Sequence, residues 1–339
     1  MVHSRYRMRF ETLCYTRHIP FAVVAHHVPD IVVVGDLHGS IVLIERCAAA
    51  NALVYKHTID FTCRLYHEFC QVAEDYAQVQ NPQLLTLFDR LVKSFSFNRN
   101  CRYILLGDTL CDRGPNDLFI LVLLQKLDKE CPHGLTLILS NHDLHFITRI
   151  IPTLKMVEKK SLAQLQKYIQ NELWGANLTK NMLQYGSSYR FVTSLYEKKF
   201  HTYFYKHFDK KSLQVFLTKI MKAWVFMEED DKSYVFTHAP YDPYEVEDLG
   251  ATYCPDLELT SAECEKKVTN ALLKYMNKLE FVWRRERPGI LEPNVVNIHG
   301  HSERPVCDQQ ENVQYISLNC MDGRPGNFGT EIGCVGVFI

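Results

Sequence analysis

Short apolar runs rich in β-branched residues recur along this chain, and several are followed closely by Asp, Asn or His. Runs of this kind are typical of strands that are buried on both faces of a sheet. The strands predicted in this way are Ile31–Val34, Tyr103–Leu106, Leu135–Leu139, Tyr234–Phe236 and Val295–Ile298. Further strands are predicted at Phe21–Val24, Val313–Leu318 and Cys334–Ile339.

Apolar residues at three- and four-residue spacing predict helices between these strands. The predicted helices are Ser40–Tyr55, two helices within residues 60–95 that separate at Asn81-Pro82, Asn116–Leu127, and Ser261–Leu279 with Ser261 as N-cap. Residues 144–224 have helical periodicity and no clear strand, and their recurring aromatic residues are interpreted as helix packing. The pattern predicts an α/β fold in which residues 1–339 form a single catalytic domain, with helical insertions at about 55–100 and 144–224.

Composition narrows the class of protein. The chain has 339 residues, 47% hydrophobic content and a formal net charge of -1, so it can bury a large core but lacks a broad basic surface for nucleic acid. No apolar run approaches the length of a transmembrane segment, and the N-terminus lacks the apolar region of a signal peptide. The twelve cysteines have no CxxC spacing, and we interpret them as reduced thiols in a reducing compartment.

Candidate metal ligands lie in five loops that directly follow predicted strands. These loops read GDLHG (35–39), GDTLCDRG (107–114), SNHD (140–143), THAP (237–240) and HGHS (299–302). A side chain on such a loop is held by a rigid scaffold and can still point into a cleft. Alone, each motif has a structural explanation, such as a capped turn for GDLHG or an interior histidine for His238 and His299. The ordered set favours a shared chemical site.

Oxygen and imidazole ligands in these loops predict two divalent ions. Asp36 and His38 can reach one ion from a single loop, and Asp108 can bridge two ions because a carboxylate has two oxygens. The remaining ligands of the second ion are Asn141, His238 and His301. A ligand set without thiolate suits Mn²⁺, Fe or Zn²⁺.

The order of these motifs resembles the phosphoprotein phosphatase (PPP) family of calcineurin-like metallophosphoesterases. The family pattern is GDxHG, GDxxDRG, GNH with an acidic residue, and two later histidines, and the resemblance covers about half of the chain. It implies a β-sandwich of two mixed sheets flanked by helices. It also implies hydrolysis of phosphomonoesters by direct attack of a metal-bridging water, with two divalent ions, Mn²⁺ being the first choice.

The resemblance also implies individual roles. Asp36, His38 and Asp108 would hold one ion, whereas Asp108, Asn141, His238 and His301 would hold the other. His142 would be the general acid, Asp112 its orienting carboxylate and Arg113 a phosphate clamp. The segment FVWRRER (281–287) is similar to one that brings a second phosphate-binding arginine, and Arg285 fits that role better than Arg284. The other interpretation of these arginines is a solvent-facing basic turn before Pro288.

Two positions depart from the family pattern. GDTLCDRG has one residue more than usual before DRG, and Ser140 stands where the family has glycine. With the long helical segments, the SNHD variant is similar to bacterial effector phosphatases called Wip proteins, which act in host cells. We therefore expect a cytoplasmic protein or, if it is an effector, one secreted into the host cell.

The DRG form of the second motif implies, through the resemblance, that the substrate is a phosphoprotein. Phosphoserine and phosphothreonine are the favoured targets, and phosphotyrosine is also compatible. An alternative substrate is a diadenosine polyphosphate or another nucleotide, and an alternative of another class is a non-catalytic scaffold that binds host proteins. We expect a monomer with a host-protein partner and no nucleic acid. Residues 144–224 are expected to control the access of folded phosphoproteins, although their aromatic rings can equally serve packing alone.

Overall fold

The computed structural model describes residues 8–16, 24–74, 81–111, 114–168, 186–229, 231–258, 260–274, 291–301, 314–318 and 332–339. The strands are β1 (Phe10–Thr16), β2 (Ile31–Val34), β3 (Leu53–Tyr55), β4 (Phe95–Phe97), β5 (Arg102–Leu105), β6 (Leu135–Ile138), β7 (Met221–Lys222), β8 (Val225–Glu229), β9 (Lys232–Thr237), β10 (Val295–His299), β11 (Tyr315–Ser317) and β12 (Ile332–Phe338). The helices are α1 (Leu43–Ala49), α2 (Ile59–Glu74), α3 (Gln83–Lys93), α4 (Asp117–Glu130), α5 (Asn141–His145), a π-helical turn (Phe146–Ile150), α6 (Ile151–Val157), α7 (Leu162–Tyr168), α8 (Gly186–Ser194), α9 (Lys198–His207), α10 (Lys210–Ile220), α11 (Pro243–Tyr253) and α12 (Ala262–Lys274).

The strands form mixed sheets. A six-stranded sheet has the order β1-β12-β2-β5-β6-β7, in which β2, β5, β6 and β7 run parallel and β12 is antiparallel to both of its neighbours. A four-stranded sheet has the order β11-β10-β9-β8, and β3 pairs with β4 as a separate ribbon. The prediction of a mixed α/β fold is therefore confirmed.

The alternation of side chains along β2 explains how the sheets are covered. Ile31 and Val33 belong to a buried apolar cluster that also contains Phe236 and Ile298 from the four-stranded sheet. Val32 and Val34 point to the opposite face and join the larger cluster that contains the helices. Both faces of this strand are buried, which agrees with its unbroken β-branched sequence.

Most predicted elements are present, and their ends differ from the prediction by a few residues. All five strands that precede the ligand loops are found, and the helices that separate at Asn81-Pro82 correspond to α2 and α3. Ser261 caps α12, because its hydroxyl accepts a hydrogen bond from the Cys264 amide at 3.2 Å. Residues 313 and 275–279, where predicted elements continue, lie outside the described residues.

Other predictions are wrong. The helix predicted over Ser40–Tyr55 is too long, because α1 ends at Ala49, Asn51 adopts a left-handed conformation with φ 54°, and residues 53–55 form β3. Residues 144–224 contain the short strand β7, which was not predicted. Of the strand predicted at Phe21–Val24, residues 21–23 lie outside the described residues and Val24 is not in a strand.

Two of the twelve cysteines are paired, which differs from the prediction of reduced thiols. Cys254 and Cys264 form a disulfide that links the end of α11 to α12, so these two residues are not reduced thiols. The thiols of Cys47, Cys101 and Cys131 are free, and all three are buried.

Among the described residues, no helix combines the length and apolarity that a membrane crossing requires.

Candidate metal centre

The ligand loops converge because of strand order. The neighbouring strands β2, β5 and β6 are parallel, so the loops at their carboxyl ends leave the same edge of the sheet. The first two loops are joined directly, since the amides of Leu37 and His38 donate to the Asp108 carbonyl at 3.0 and 2.6 Å. In the other sheet, the amide of Gly300 donates to the His238 carbonyl at 2.9 Å. Residues from five separate segments therefore meet at one place.

The carboxylate of Asp108 lies at the centre of this site. Its Oδ1 is 3.3 Å from His238 Nε2, and its Oδ2 is 3.9 Å from both His142 Nε2 and His301 Nδ1. Burial would by itself raise the pKa of Asp108, but the surrounding histidines, His238 first among them, hold that pKa well below its usual range. The site therefore contains a buried carboxylate that is stable as an anion.

Two sets of side chains at this site could each hold a metal ion. One set is His38, Asp108 and His142, and the other is Asp108, His238 and His301. Within each set the candidate ligand atoms lie within 4.8 Å of one another. Asp108 belongs to both sets, which is the arrangement expected of a carboxylate that bridges two ions.

Asp36 lies beside the first set. Its Oδ2 is 3.8 Å from His38 Nε2, and the same carboxylate accepts hydrogen bonds from the His301 amide at 3.1 and 3.2 Å. The structure thus brings Asp36 to the site as predicted, and it adds His142 to the group around His38.

The surroundings of His238 fit a cation. Its Nδ1 lies 2.8 Å from the Leu106 carbonyl, which can only accept, so this nitrogen carries the proton. Burial lowers the pKa of His238 to about 3, although the charge of Asp108 acts in the opposite direction. Its Nε2 lone pair then faces Asn141 Oδ1 at 3.0 Å and Asp108 Oδ1 at 3.3 Å. His301 Nδ1 lies 3.1 Å from the same Nε2, so the electron-donating atoms of three side chains and a second imidazole converge where a cation could bind.

Three of the candidate ligands adopt an unusual backbone conformation. His38, Asp108 and His301 have φ values of 51°, 44° and 57°, in the left-handed region that non-glycine residues seldom occupy. Each such residue costs on the order of 1–3 kcal/mol, and such strain clusters at functional sites. Their coincidence in one cluster is independent support for a functional site here.

Asp143 is an important residue that the sequence analysis did not single out. It is buried and accepts hydrogen bonds from the amides of Thr109 and Leu110, at 3.1 and 2.8 Å, and from the Ser140 hydroxyl at 2.8 Å. Burial and the nearby charge of Asp108 raise the pKa of Asp143 to about 7. It ties the loop after β6 to the loop after β5. One feature of the sequence could have identified it: Asp143 is the acidic residue that follows Asn141 and His142 in the motif SNHD.

Ser140 has its own structural role. Its hydroxyl accepts from the Asp143 amide at 3.1 Å and so caps α5, the helix that begins with Asn141. Its φ of −128° is an ordinary extended value, so the turn does not require the glycine found in the family pattern. Ser140 in place of glycine is therefore compatible with Asn141 as a candidate ligand at the start of α5.

The structure brings together seven of the predicted site residues: Asp36, His38, Asp108, Asn141, His142, His238 and His301. His299 is buried, with Nδ1 2.9 Å from the Gly300 carbonyl, as expected for an interior histidine. Asp112, Arg113 and Arg285 lie outside the described residues.

One protein-family model matches this chain. The model of the WipA-like phosphatase domain matches residues 103–280, a segment that includes Asp108, Asn141, His142 and His238. No curated protein matches the chain. A search of solved structures finds the crystal structure of the phosphatase domain from the Legionella effector WipB. The two chains are 17% identical, the TM-score is 0.46, and the match covers 76% of this chain and 82% of that chain.

The close approach of Gly300 to Asp36 generates a prediction. A Cβ atom at Gly300 would lie 2.2 Å from Asp36 Oδ1, so Gly300→Ala must displace that carboxylate. We expect the affinity for Mn²⁺ to fall about 10–100-fold, the usual effect of disturbing a residue that supports a metal ligand. Titration calorimetry would measure it, with Gly134→Ala as control because its Cβ would have no neighbour closer than 3.2 Å. Equal affinities for the two variants would contradict a role for Asp36 in metal binding.

Proposed function

The chain belongs to the WipA-like phosphatase domain family, and we propose that it is a metal-dependent phosphatase that hydrolyses phosphomonoesters on phosphoproteins. The observation that carries the proposal is the membership of Asp108 in two candidate ligand sets. A site with one shared carboxylate and several imidazoles suits two divalent ions, and Mn²⁺ is our first choice over Fe or Zn²⁺.

We also propose that the fold is the β-sandwich of the calcineurin-like metallophosphoesterases. Support comes from the two mixed sheets, which share a buried apolar cluster, and from ligand loops that follow β2, β5, β6, β9 and β10. In this assignment the helical segments within 55–100 and 144–224 are additions to one catalytic domain.

The proposed ligands divide as the resemblance implies. Asp36, His38 and Asp108 would hold one ion, and Asp108 would share the other with Asn141, His238 and His301. When bound, the ions would polarise the phosphoryl group and provide an activated water for direct attack on phosphorus. The chain contributes fixed geometry, since Leu106 orients His238 and the His301 amide holds Asp36 in place.

His142 is the proposed general acid. Its side chain is 14% exposed, compared with 5% for His38 and 0% for His238, so it is the more accessible to a leaving group. Its amide lies 3.3 Å from Asp108 Oδ1 and fixes its position beside the ligands. A protonated imidazole there can deliver a proton to the departing alkoxide oxygen.

Three further residues receive roles from the resemblance alone. Asp112 would orient His142, and Arg113 and Arg285 would bind the phosphate oxygens. A guanidinium suits this task because its planar fork matches two phosphate oxygens at once. The cytoplasmic or host-cell location, a host-protein partner and the monomeric state likewise stay predictions.

The metal proposal predicts that chelation abolishes activity and that Mn²⁺ restores it. Asp108→Asn should reduce the content of both ions and lower kcat/KM about a hundredfold or more, because a neutral amide cannot bridge them as an anion. Asp60→Asn, the same chemical change at an exposed position in α2, is the control. Elemental analysis and steady-state kinetics measure both effects. Full metal content and an unchanged rate in Asp108→Asn would show that the bridging assignment is wrong.

The role of His142 can be separated from metal binding. If it is the acid, His142→Ala keeps its metals and loses about 10²–10⁴-fold in rate with alkyl phosphates, but far less with a nitrophenyl ester that needs little protonation. Loss of one ion would make His142 a ligand of the set around His38. Equal rate losses on the two substrates would point to binding of phosphate.

The substrate class is tested by measuring how fast the Mn²⁺-loaded protein hydrolyses a panel of phosphate compounds. Peptides carrying phosphoserine, phosphothreonine or phosphotyrosine are compared with a diadenosine polyphosphate, and we expect turnover of the peptides, with the first two preferred. Faster turnover of the dinucleotide would favour the nucleotide hydrolase. No turnover of any of these or of an aryl phosphate, with partner binding retained, would favour the scaffold.

A further inference from the structure

Asn297 is a buried polar residue in the middle of the four-stranded sheet. It lies on β10, which pairs with β9 on one side and with β11 on the other, and its exposed fraction is 0%. Asparagine is uncommon in strands, and a buried amide group destabilises a fold unless it has hydrogen-bond partners. The partners of this side chain therefore indicate why an asparagine lies here.

The side chain of Asn297 bonds to the chain on both sides of His238. Its Nδ2 donates to the Val235 carbonyl at 2.9 Å and to the Thr237 hydroxyl at 2.8 Å. Its Oδ1 accepts from the Tyr241 amide at 3.0 Å. The orientation of the side-chain amide is fixed, because a carbonyl can only accept and a backbone amide can only donate. Asn297 thus joins the end of β9 to the residues that follow it.

Thr237 adds a bond within this loop, which we call the His238 loop (residues 237–241). Its buried hydroxyl accepts from Asn297 and donates to the Ala239 carbonyl at 2.6 Å. A hydroxyl has one proton, so this bond uses its only donor. The Ala239 carbonyl lies beyond the end of β9, and the bond is therefore additional to the ladder of the sheet. Together, these contacts fix the backbone immediately before and after the histidine.

The strand that carries Asn297 also leads to His301. The Gly300 amide lies between them and donates to the His238 carbonyl at 2.9 Å. The two imidazoles meet, with His238 Nε2 3.1 Å from His301 Nδ1, and both belong to one candidate ligand set. A functional side chain of this kind must be held to within about 0.5 Å of its productive position. The bonds from Asn297 and Gly300 hold the His238 loop against the strand that bears the second histidine.

We propose that Asn297 and Thr237 are positioning residues that set His238 relative to His301 for one of the two ions. This inference rests on the proposed function, which assigns both histidines to that ion. Neither positioning residue is a proposed ligand, so each acts through His238. The other role of such buried bonds is to stabilise the sheet in general, and the experiment separates the two roles.

The first measurement uses the metal-free protein and follows by NMR the Nδ1 proton of His238, which lies 2.8 Å from the Leu106 carbonyl. Thr237→Val removes the hydroxyl and keeps the shape of the side chain, whereas Thr237→Ser keeps the hydroxyl. Thr153→Val is the matched control, because the buried hydroxyl of Thr153 also donates to a backbone carbonyl, at 2.8 Å in α6. We expect the proton to exchange with water roughly tenfold faster in Thr237→Val and to be unchanged in the other two variants.

The second measurement is the binding of Mn²⁺ by calorimetry. Thr237→Val should weaken one of the two binding events about 10–100-fold, the usual effect of losing a group that orients a metal ligand, and leave the other event unchanged. Asn297→Leu is similar in size and removes every bond of the side-chain amide, so it should weaken the same event at least as much. Thr237→Ser should bind both ions as the unaltered protein does, because its hydroxyl can make the same bonds.

The outcomes separate positioning from general stability. If Thr237→Val and Asn297→Leu match Thr153→Val in proton exchange and in Mn²⁺ affinity, these bonds only stabilise the sheet. Equal weakening of both binding events, or faster exchange with unchanged Mn²⁺ affinity, would also overturn the positioning role. If Asn297→Leu does not fold, Thr237→Val and Thr237→Ser decide by the same measurements. A wild-type protein that binds no Mn²⁺ would refute the proposed function, while proton exchange would still decide whether these residues position His238.

Discussion

The arrangement of this site depends on one buried negative charge. Asp108 is 2% exposed, and a carboxylate so placed is stable as an anion only where positive or polarisable groups surround it. Imidazoles from four different loops supply that environment, and the bond between Asp143 and the amides of Thr109 and Leu110 holds the Asp108 loop in position. The order of β2, β5 and β6 brings the loops with His38, Asp108 and His142 to one edge of the six-stranded sheet. The loops after β9 and β10 bring His238 and His301 to the same place from the four-stranded sheet.

The backbone of the site is strained, and the rest of the fold compensates for it. Left-handed conformations at His38, Asp108 and His301 are each unfavourable, so neighbouring structure must enforce them. The amides of Leu37 and His38 bond to the Asp108 carbonyl, and the strands before these residues are buried on both faces. Rigid strands therefore fix the directions in which the ligand side chains leave the backbone.

Sequence patterns predict part of this structure well, and the reason is physical. A β-branched run such as Ile31–Val34 fits poorly in anything but a buried strand, and a ligand that follows it must lie at the sheet edge. The end of α1 was missed because a left-handed Asn51 leaves little trace in hydrophobic spacing. The contact of Asn297 with the Tyr241 amide was missed because it joins residues 56 positions apart, and no local pattern encodes such a contact. The same limit hid the disulfide between Cys254 and Cys264.

The position of β12 has a consequence for folding. This strand, residues 332–338, lies between β1 and β2, so the strand that leads to Asp36 gains its antiparallel neighbour only when these late residues have been synthesised. Pairing of Phe10 with Phe338 closes a loop of more than three hundred residues, and non-local pairing of this kind is slow. On the ribosome, the candidate ligands Asp36 and His38 must wait for His238, His301 and β12 before the site can close. A nascent chain that stalls before that point exposes the edge of β2, a surface on which unpaired strands aggregate.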